Sequence, residues 1–305
     1  MPGSNCSPPR DTRNDGAGEP AWFSEAIAVR PVSSVVTCDA VPIHYRVWPA
    51  VTPTDKPGLV LVHGNAAQSS WWDHLAPLLA SDRRVAALDL SGHGDSGRRD
   101  RYDVPRWSRE VRAVSAAADL WPGAILIGHS LGGLVAFGAA RQAGDLVGGV
   151  IMIDSLIAKR TAEDTLHRQR RAETPRRIYA DRSSALGAYR PQPTQSDVLQ
   201  YIRAHIAQTA IRPVAGGWTW KSDPVIYARP DLSECFLADV EAPLALLYGE
   251  HGLLDAAMLA TMHRLLGPAA DFRVIPGAGH HIMLDKPREL AAAIREVITG
   301  WSSPT

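Results

Sequence analysis

The chain has 305 residues, 45 % of them hydrophobic, which suits one large domain with an insertion better than two full domains. Its 32 basic and 32 acidic residues give a formal net charge of zero, which argues against a general electrostatic attraction to nucleic acid or to an anionic membrane. The three cysteines, Cys6, Cys38 and Cys235, show no CxxC spacing, so we expect no disulfide scaffold, no zinc site and a reducing, cytoplasmic compartment.

The N-terminal half of the sequence alternates short apolar segments with helical patterns. Residues 1–20 are rich in Pro, Gly, Ser and Asn without an apolar run, so we expect a disordered tail and no secretory signal. Alternating residues at 32–37 and 41–47 predict a half-exposed hairpin, and the apolar run at 58–64 predicts a strand buried on both faces. The next predicted elements are a helix at 71–80, a strand at 84–90, a helix at 105–118, a strand at 123–130, a helix at 131–143 and a strand at 147–154. This order predicts a mostly parallel sheet with helices on both faces.

The alternation stops after Asp154 and returns near residue 240. Residues 156–236 are polar with helical patterns, and no buried strand is visible among them. The helix predicted at 159–182 is basic but also carries acids, so we interpret it as a solvated face, with a binding patch as the alternative. The later predicted elements are a strand at 242–249, a helix at 255–266, a strand at 271–276 and a helix at 286–299. We therefore predict a core of residues 21–155 and 237–305 with a cap (lid) insertion of residues 156–236. No apolar stretch reaches the ~18 residues of a membrane span.

The stretch GHSLG, Gly128 to Gly132, fits the G-x-S-x-G pattern between a predicted strand and a predicted helix. A serine on so sharp a turn has a strained backbone, and flanking glycines let the neighbouring chain pass close by. The hydroxyl then lies at the carboxyl ends of the strands, where open sheets bind ligands. Ser130 is therefore the predicted nucleophile.

A tetrahedral intermediate needs two backbone N–H donors at ~3 Å from its oxygen. We predict the amide of Leu131, which follows the nucleophile at a helix N-terminus, and that of Asn65, in the stretch LVHGN after the third strand. His63, in the same stretch, is expected to fix this loop by hydrogen bonds and not to react.

The stretch GAGHH, Gly277 to His281, follows the last predicted strand and offers the base. Histidine suits that role because its pKa lies near neutrality. We favour His280, which follows a flexible glycine-rich approach, and His281 is the rival.

At this point the stretches LVHGN, LDLSGHGDSG, IGHSLGG and PGAGHHIMLDKP resemble, in order and spacing, those of the α/β-hydrolase superfamily. The resemblance covers nearly the whole chain outside residues 1–20. It implies the α/β-hydrolase fold, with a mostly parallel eight-stranded sheet and a helical cap, and the serine and histidine roles given above. It says little about the substrate, because the fold hosts esterases, lactonases, C–C hydrolases and thioesterases. Ser130 differs from the dehalogenase and epoxide-hydrolase branches, which have aspartate there.

In most relatives the acid of the triad follows the strand before the last one, as a glycine, two residues and an aspartate. Counting from Gly249 puts Gly252 at that position, with Glu250 two residues too early and Asp255 three too late. Asp154 ends the strand after the nucleophile strand, and parallel neighbouring strands end roughly 5 Å apart. Its carboxylate can therefore reach the histidine. We favour Asp154 as the acid, with Glu250 as the main alternative and Asp255 as the other.

Tryptophans are the candidates for the wall of a substrate pocket, since such pockets are apolar with few polar groups. The candidates are Trp71, Trp72, Trp218 and Trp220, and we predict this role for Trp72, Trp218 and Trp220; the alternative is that they pack the cap onto the core.

The function predicted from these residues is a serine hydrolase that cleaves a small carboxylic ester or lactone through an acyl-enzyme, without metal or cofactor. The alternatives are a C–C bond hydrolase of a diketone that uses the same triad, and a non-enzymatic ligand-binding protein on this scaffold. We expect a monomer or homodimer.

Overall fold

The structure is a computed structural model that describes residues 18–52, 54–157, 161–237 and 240–302. Most of the predicted disordered tail, residues 1–17, lies outside these ranges. The three residues of the tail that are described lead into a helix that the sequence analysis missed, Ala21–Ala28. This helix buries Phe23 and Ala26 against the core.

Eight of the ten strands in the described residues form one mostly parallel sheet, as the sequence predicts. The strands in chain order are β1 (Val32–Cys38), β2 (Val41–Trp48), β3 (Leu59–Val62), β4 (Val85–Leu88), β5 (Ile125–His129), β6 (Gly149–Ile153), β7 (Ile211–Val214), β8 (Gly217–Trp220), β9 (Leu244–His251) and β10 (Asp271–Gly279). The large sheet has the order β1-β2-β4-β3-β5-β6-β9-β10, in which only the β1–β2 and β2–β4 pairs are antiparallel. Strands β3 to β6 are buried on both faces, which explains their continuous apolar sequences.

Helices cover both faces of this sheet and form much of the segment between β6 and β9. The α-helices are α1 (Ala21–Ala28), α2 (Ala76–Leu79), α3 (Val104–Ala117), α4 (Leu131–Ala143), α5 (Ala162–Glu173), α6 (Arg182–Gly187), α7 (Gln200–Thr209), α8 (Ala256–Leu266), α9 (Ile282–Asp285) and α10 (Pro287–Ser302). The 3₁₀ helices are Ser69–Trp72, Gly144–Leu146, Pro224–Ala228 and Glu234–Leu237.

Two helical predictions were wrong in their extent. The predicted helix at 71–80 is a 3₁₀ turn followed by the short helix α2, which has a proline in its first turn. The predicted basic helix at 159–182 is only α5, because the chain leaves the helix at Thr174, just before Pro175.

The segment between β6 and β9 also contains strands that the sequence analysis did not find. Strands β7 and β8 pair as an antiparallel hairpin, with Ile211 opposite Trp220 and Pro213 opposite Trp218. The hairpin packs on a small cluster with Tyr179 and Ala185, separate from the main core. Its strands are four residues each, too short to show a periodic pattern.

The turn between β5 and α4 depends on glycines because backbone passes close to backbone there. A Cβ on Gly128 would lie 2.1 Å from the carbonyl oxygen of Gly132. A Cβ on Gly132 would in turn lie 2.3 Å from the carbonyl oxygen of Val62 on β3. The helix can therefore approach the sheet only with glycine at both positions.

We predict that Gly132→Ala lowers the free energy of unfolding by about 3 kcal/mol, because the added methyl must displace the backbone of β3. Urea denaturation of both proteins measures this difference. Gly300→Ala is the matched control: Gly300 lies in α10 with open space around its Cα, so the same methyl should stabilise the protein by about 0.5–1 kcal/mol. Equal effects of the two substitutions would contradict the argument.

Candidate active site

Ser130 occupies a strained position between β5 and α4. Its φ of 54° and ψ of −120° are rare for a residue with a side chain. Two hydrogen bonds to the next strand hold it there: its N–H donates to the carbonyl of Ile153 (2.8 Å), and the hydroxyl of Ser155 donates to its carbonyl (2.8 Å). The side chain is half-buried and stands at the carboxyl ends of the parallel strands.

Asp154 lies directly after β6 with its side chain fully buried. Its Oδ2 accepts a hydrogen bond from Nδ1 of His280 at 2.6 Å. The same carboxylate accepts backbone N–H groups from Gly249 (3.1 Å) and Leu253 (2.9 Å), both in the β9 region. Because Nδ1 of His280 donates, its Nε2 is left as the acceptor of the neutral ring.

The two other candidate acids, Glu250 and Asp255, accept backbone N–H groups away from His280 and make no hydrogen bond to it. The carboxylate of Glu250 is exposed and accepts the N–H of Gly277 at 2.8 Å. Asp255 accepts the N–H of Met258 at 2.8 Å as the N-cap of α8. At the position of the family's usual acid, a Cβ on Gly252 would lie 2.2 Å from Oδ1 of Asp154. The carboxylate of Asp154 thus fills the space next to the position where most relatives have their aspartate.

Two further histidines, His129 and His281, lie beside His280; His281 is the rival base of the sequence analysis, and His129 was given no role there. The ring of His129 lies 4.6 Å from that of His280, and its Nε2 donates to the backbone carbonyl of His280 at 2.9 Å. His281 donates from Nε2 to the carbonyl of Pro193 at 2.9 Å. The contact through His129 brings the residue before Ser130 against His280.

Burial keeps both of these neighbouring histidines neutral. Burial, with the charges of His280 and His281 as further causes, holds the pKa of His129 well below 6.5. Burial and the neighbouring His280 lower the pKa of His281 to about 3. Ring nitrogens of the three histidines lie within 4.8 Å of one another, so these residues could hold a transition-metal ion.

The loop after β3 lies beside the serine turn. His63 is buried and binds the loop at both ring nitrogens: Nδ1 donates to the carbonyl of Gly64 (2.7 Å), and Nε2 accepts the N–H of Leu90 (3.1 Å). These contacts show His63 fixing the loop by hydrogen bonds, as predicted. Among the described residues, the backbone N–H groups of Asn65 and Leu131 have no hydrogen-bond acceptor in the protein. Both are therefore free to donate to a ligand.

Asp285 holds the loop that carries His280, a contact that the sequence analysis missed. Its Oδ2 accepts the N–H of Gly279 (2.6 Å) and the side-chain amide of Gln195 (2.5 Å). The oxygen of Gln195 accepts the N–H of His281 at 2.8 Å. Burial raises the pKa of Asp285 from 3.8 to about 6, although the Gly279 N–H lowers it. The signal in the sequence is the aspartate four residues after the histidine pair.

A cavity of about 250 Å³ lies next to the loop after β3. Its wall includes Asn65 and Trp71 from the core and Trp220 from the β7–β8 hairpin. Of the three predicted pocket tryptophans, only Trp220 lies on this wall. The structure places Trp72 in the core, fully buried, because the 3₁₀ turn directs its ring inward and presents Trp71 instead. Trp218 packs with Trp220 on the small cluster of the hairpin and does not reach the cavity.

Comparison with known sequences identifies the family. A model of the alpha/beta hydrolase family matches residues 59–293. The chain belongs to the α/β-hydrolase family. This α/β hydrolase is a hydrolytic enzyme, as the sequence predicts.

The α/β hydrolase is similar to enzymes that carry esterase names. An esterase of Mycobacterium tuberculosis is 26 % identical over 257 residues, which are 79 % of this chain and 83 % of that protein. A pimeloyl-acyl-carrier-protein methyl ester esterase of Edwardsiella ictaluri is 27 % identical over 255 residues, 81 % of this chain and 95 % of that protein. The solved structure of E-2-(acetamidomethylene)succinate hydrolase has the same fold, with a TM-score of 0.75, 24 % identity, and coverage of 88 % of this chain and 100 % of that one. No described helix of the α/β hydrolase combines the length and apolar character needed to cross a membrane.

We predict that Asp285 makes the stability of the α/β hydrolase fall between about pH 4 and pH 6. The folded protein keeps the proton on Asp285 up to about pH 6, whereas the unfolded chain releases it near 3.8. The contribution of Asp285 to the free energy of unfolding is therefore highest below pH 4, and it falls by up to about 3 kcal/mol as the pH rises to 6 and above. Asp285→Asn removes this slope, so the unfolding free energy of the variant minus that of the original protein should rise with pH. Parallel stability curves from pH 4 to 7 would rule the effect out.

Proposed function

We propose that this α/β hydrolase is a serine hydrolase that cleaves a small carboxylic ester or lactone through an acyl-enzyme. Ser130 is the nucleophile, His280 the base and Asp154 the acid. The observation that carries the proposal is the 2.6 Å hydrogen bond between the buried Asp154 and Nδ1 of His280, at the same sheet edge as the strained Ser130. The esterase names of the relatives support the choice of substrate class.

The reaction follows from which groups can give and take protons. Asp154 holds the Nδ1–H of His280, so Nε2 takes the proton of the Ser130 hydroxyl as it attacks the ester carbonyl. The backbone N–H groups of Asn65 and Leu131 stabilise the negative oxygen of the tetrahedral intermediate. His280 then protonates the leaving alcohol, and water, activated by the same histidine, releases the acid from Ser130.

Residues 156–236 act in this proposal as the cap over the site. Their described part supplies walls of the cavity beside Asn65 and contacts the His280 loop through Gln195. A cap excludes water from the acyl-enzyme until the alcohol has left, and it shapes the pocket that selects the acyl group.

Removal of the nucleophile is the first test. We expect Ser130→Ala to lower kcat for a 4-nitrophenyl ester by about 10⁶-fold, because the acyl-enzyme can no longer form. A fluorophosphonate probe should label the original protein at Ser130 and leave the variant unlabelled. Full turnover by Ser130→Ala would end the proposal.

The choice of acid has its own test. We expect Asp154→Asn to lower kcat by about 10⁴-fold, because the histidine loses the partner that orients it and stabilises its charged form. Glu250→Gln is the matched control, since the amide oxygen can still accept the N–H of Gly277, and its kcat should change by less than about threefold. The reverse order of the two losses would make Glu250 the acid.

A second-site variant tests whether the carboxylate can be moved back to the family's usual position. Gly252→Asp alone should lose activity, because its Cβ collides with Asp154. In the double variant Asp154→Ala, Gly252→Asp the space is free, so kcat should recover at least about tenfold over Asp154→Ala alone. An activity below that of Asp154→Ala would show that the two positions are not equivalent.

One observation favours the alternative of C–C bond cleavage. A diketone hydrolase requires polar groups in the cap for its ionised substrate, and the cavity wall carries Arg171 and Arg176 from the segment between β6 and β9. Turnover of a vinylogous diketone without turnover of any simple ester would select this alternative.

A further inference from the structure

The cavity beside Asn65 has a strongly basic wall in a protein of zero net charge. Among the described residues, the cavity wall has no aspartate or glutamate and carries four arginines: Arg171, Arg176, Arg177 and Arg190. All four belong to the segment between β6 and β9, and the first three lie in or just after α5. The sequence favours a solvated face for residues 159–182, because acids stand among these basic residues.

None of the four arginines forms an ion pair with a carboxylate of the described residues. Neighbouring cations of the same region differ in this respect. Arg168, one turn before Arg171 in α5, pairs with Asp231 at 3.3 Å, and Lys221 pairs with Asp95 at 2.6 Å. Asp231 and Asp95 thus pair with cations that lie off the cavity, and among the described residues no carboxylate pairs with the four arginines on its wall.

Arg171 and Arg190 are held in place by groups that carry no charge. The Arg171 guanidinium stacks 4.1 Å from the ring of Tyr227 and donates to its hydroxyl at 2.7 Å. Arg190 donates to the carbonyls of Gly187 (2.8 Å) and Tyr189 (2.7 Å). Arg176 is half-buried and has no such partner among the described residues. Since a guanidinium has five N–H donors, donors remain for a ligand in each case.

We propose that this cavity binds an anionic oxyacid group of the substrate, a carboxylate or a phosphate, remote from the bond that is cleaved. The inference rests on the proposed function and narrows it: the ester or lactone carries its own negative charge. Guanidinium groups match the geometry of carboxylate and phosphate oxygens, and the half-buried position of Arg171 and Arg176 strengthens such bonds. Asn65 lines the same cavity, and its backbone N–H is the proposed donor to the reacting carbonyl, so the proposed anion site and the proposed reaction share this residue.

The test compares two esters of equal shape and different charge: monomethyl adipate and the methyl ester of adipic acid monoamide. The original protein should prefer the charged ester by about tenfold or more in kcat/KM. Arg171→Gln and Arg176→Gln should each lower the ratio of kcat/KM for the charged ester to that for the amide ester by about tenfold. A third ester with a terminal phosphate identifies which of the two oxyacid groups the site prefers.

Arg168→Gln is the matched control, because it removes the same charge from the same helix off the cavity wall. It should leave the ratio of the two esters unchanged. Equal kcat/KM for the two esters in the original protein, or an equal loss of preference in Arg168→Gln, would overturn the inference.

Binding separates this inference from the proposed function. Calorimetry measures the Kd of monomethyl adipate without turnover in two proteins: Ser130→Ala, and the double variant Ser130→Ala, Arg176→Gln. Tighter binding to the first protein by about tenfold supports the anion site even if the ester is not cleaved. Equal binding removes the site, while undiminished turnover by Ser130→Ala removes the proposed reaction instead.

Discussion

One buried carboxylate organises the candidate active site. A charged group without solvent is very unfavourable unless hydrogen bonds compensate it, and Asp154 receives three: from His280 and from the backbone of Gly249 and Leu253. These donors come from β9 and from the loop after β10, so the carboxylate joins the ends of three neighbouring strands. The histidine is therefore positioned by the sheet itself. Gly252 belongs to the same constraint, because any side chain there would occupy the place of the carboxylate.

The parts of the structure that the sequence predicts are those with a strong local signal. Glycines between an apolar strand and a helix predict the serine turn, and continuous apolar runs predict the strands of the large sheet. Asp154 could be favoured because no carboxylate stands at the usual position. The elements that were missed depend on contacts distant in the chain. The strands β7 and β8 are four residues long and one contains Pro213, so their pairing and the packing of Trp218 and Trp220 decide their conformation.

Charge is harder to interpret from sequence than apolar pattern, because pairing is decided in three dimensions. Arg168 and Arg171 stand three residues apart in one helix and look equivalent in the sequence. The first meets Asp231, 63 positions away, and the second meets the ring and hydroxyl of Tyr227. A formal net charge of zero thus conceals a basic wall inside the molecule. The same limit applies to Trp71 and Trp72, adjacent residues of which only the first reaches the cavity.

Two sides of the segment between β6 and β9, the proposed cap, differ in how firmly they are attached to the core. Residues 193–199 are bonded to His281 through Pro193 and Gln195 and to α9 through Leu199, so any displacement of that side would disturb the neighbouring His280. Helix α5, which carries Arg171 on the other side, buries none of its residues. Segments with little buried apolar surface open at the lowest free-energy cost. The contacts of α5 are made instead by exposed and half-buried side chains, Arg168 with Asp231 and Arg171 with Tyr227. In the proposed reaction, we therefore expect a substrate to enter past α5 at a lower free-energy cost than past residues 193–199.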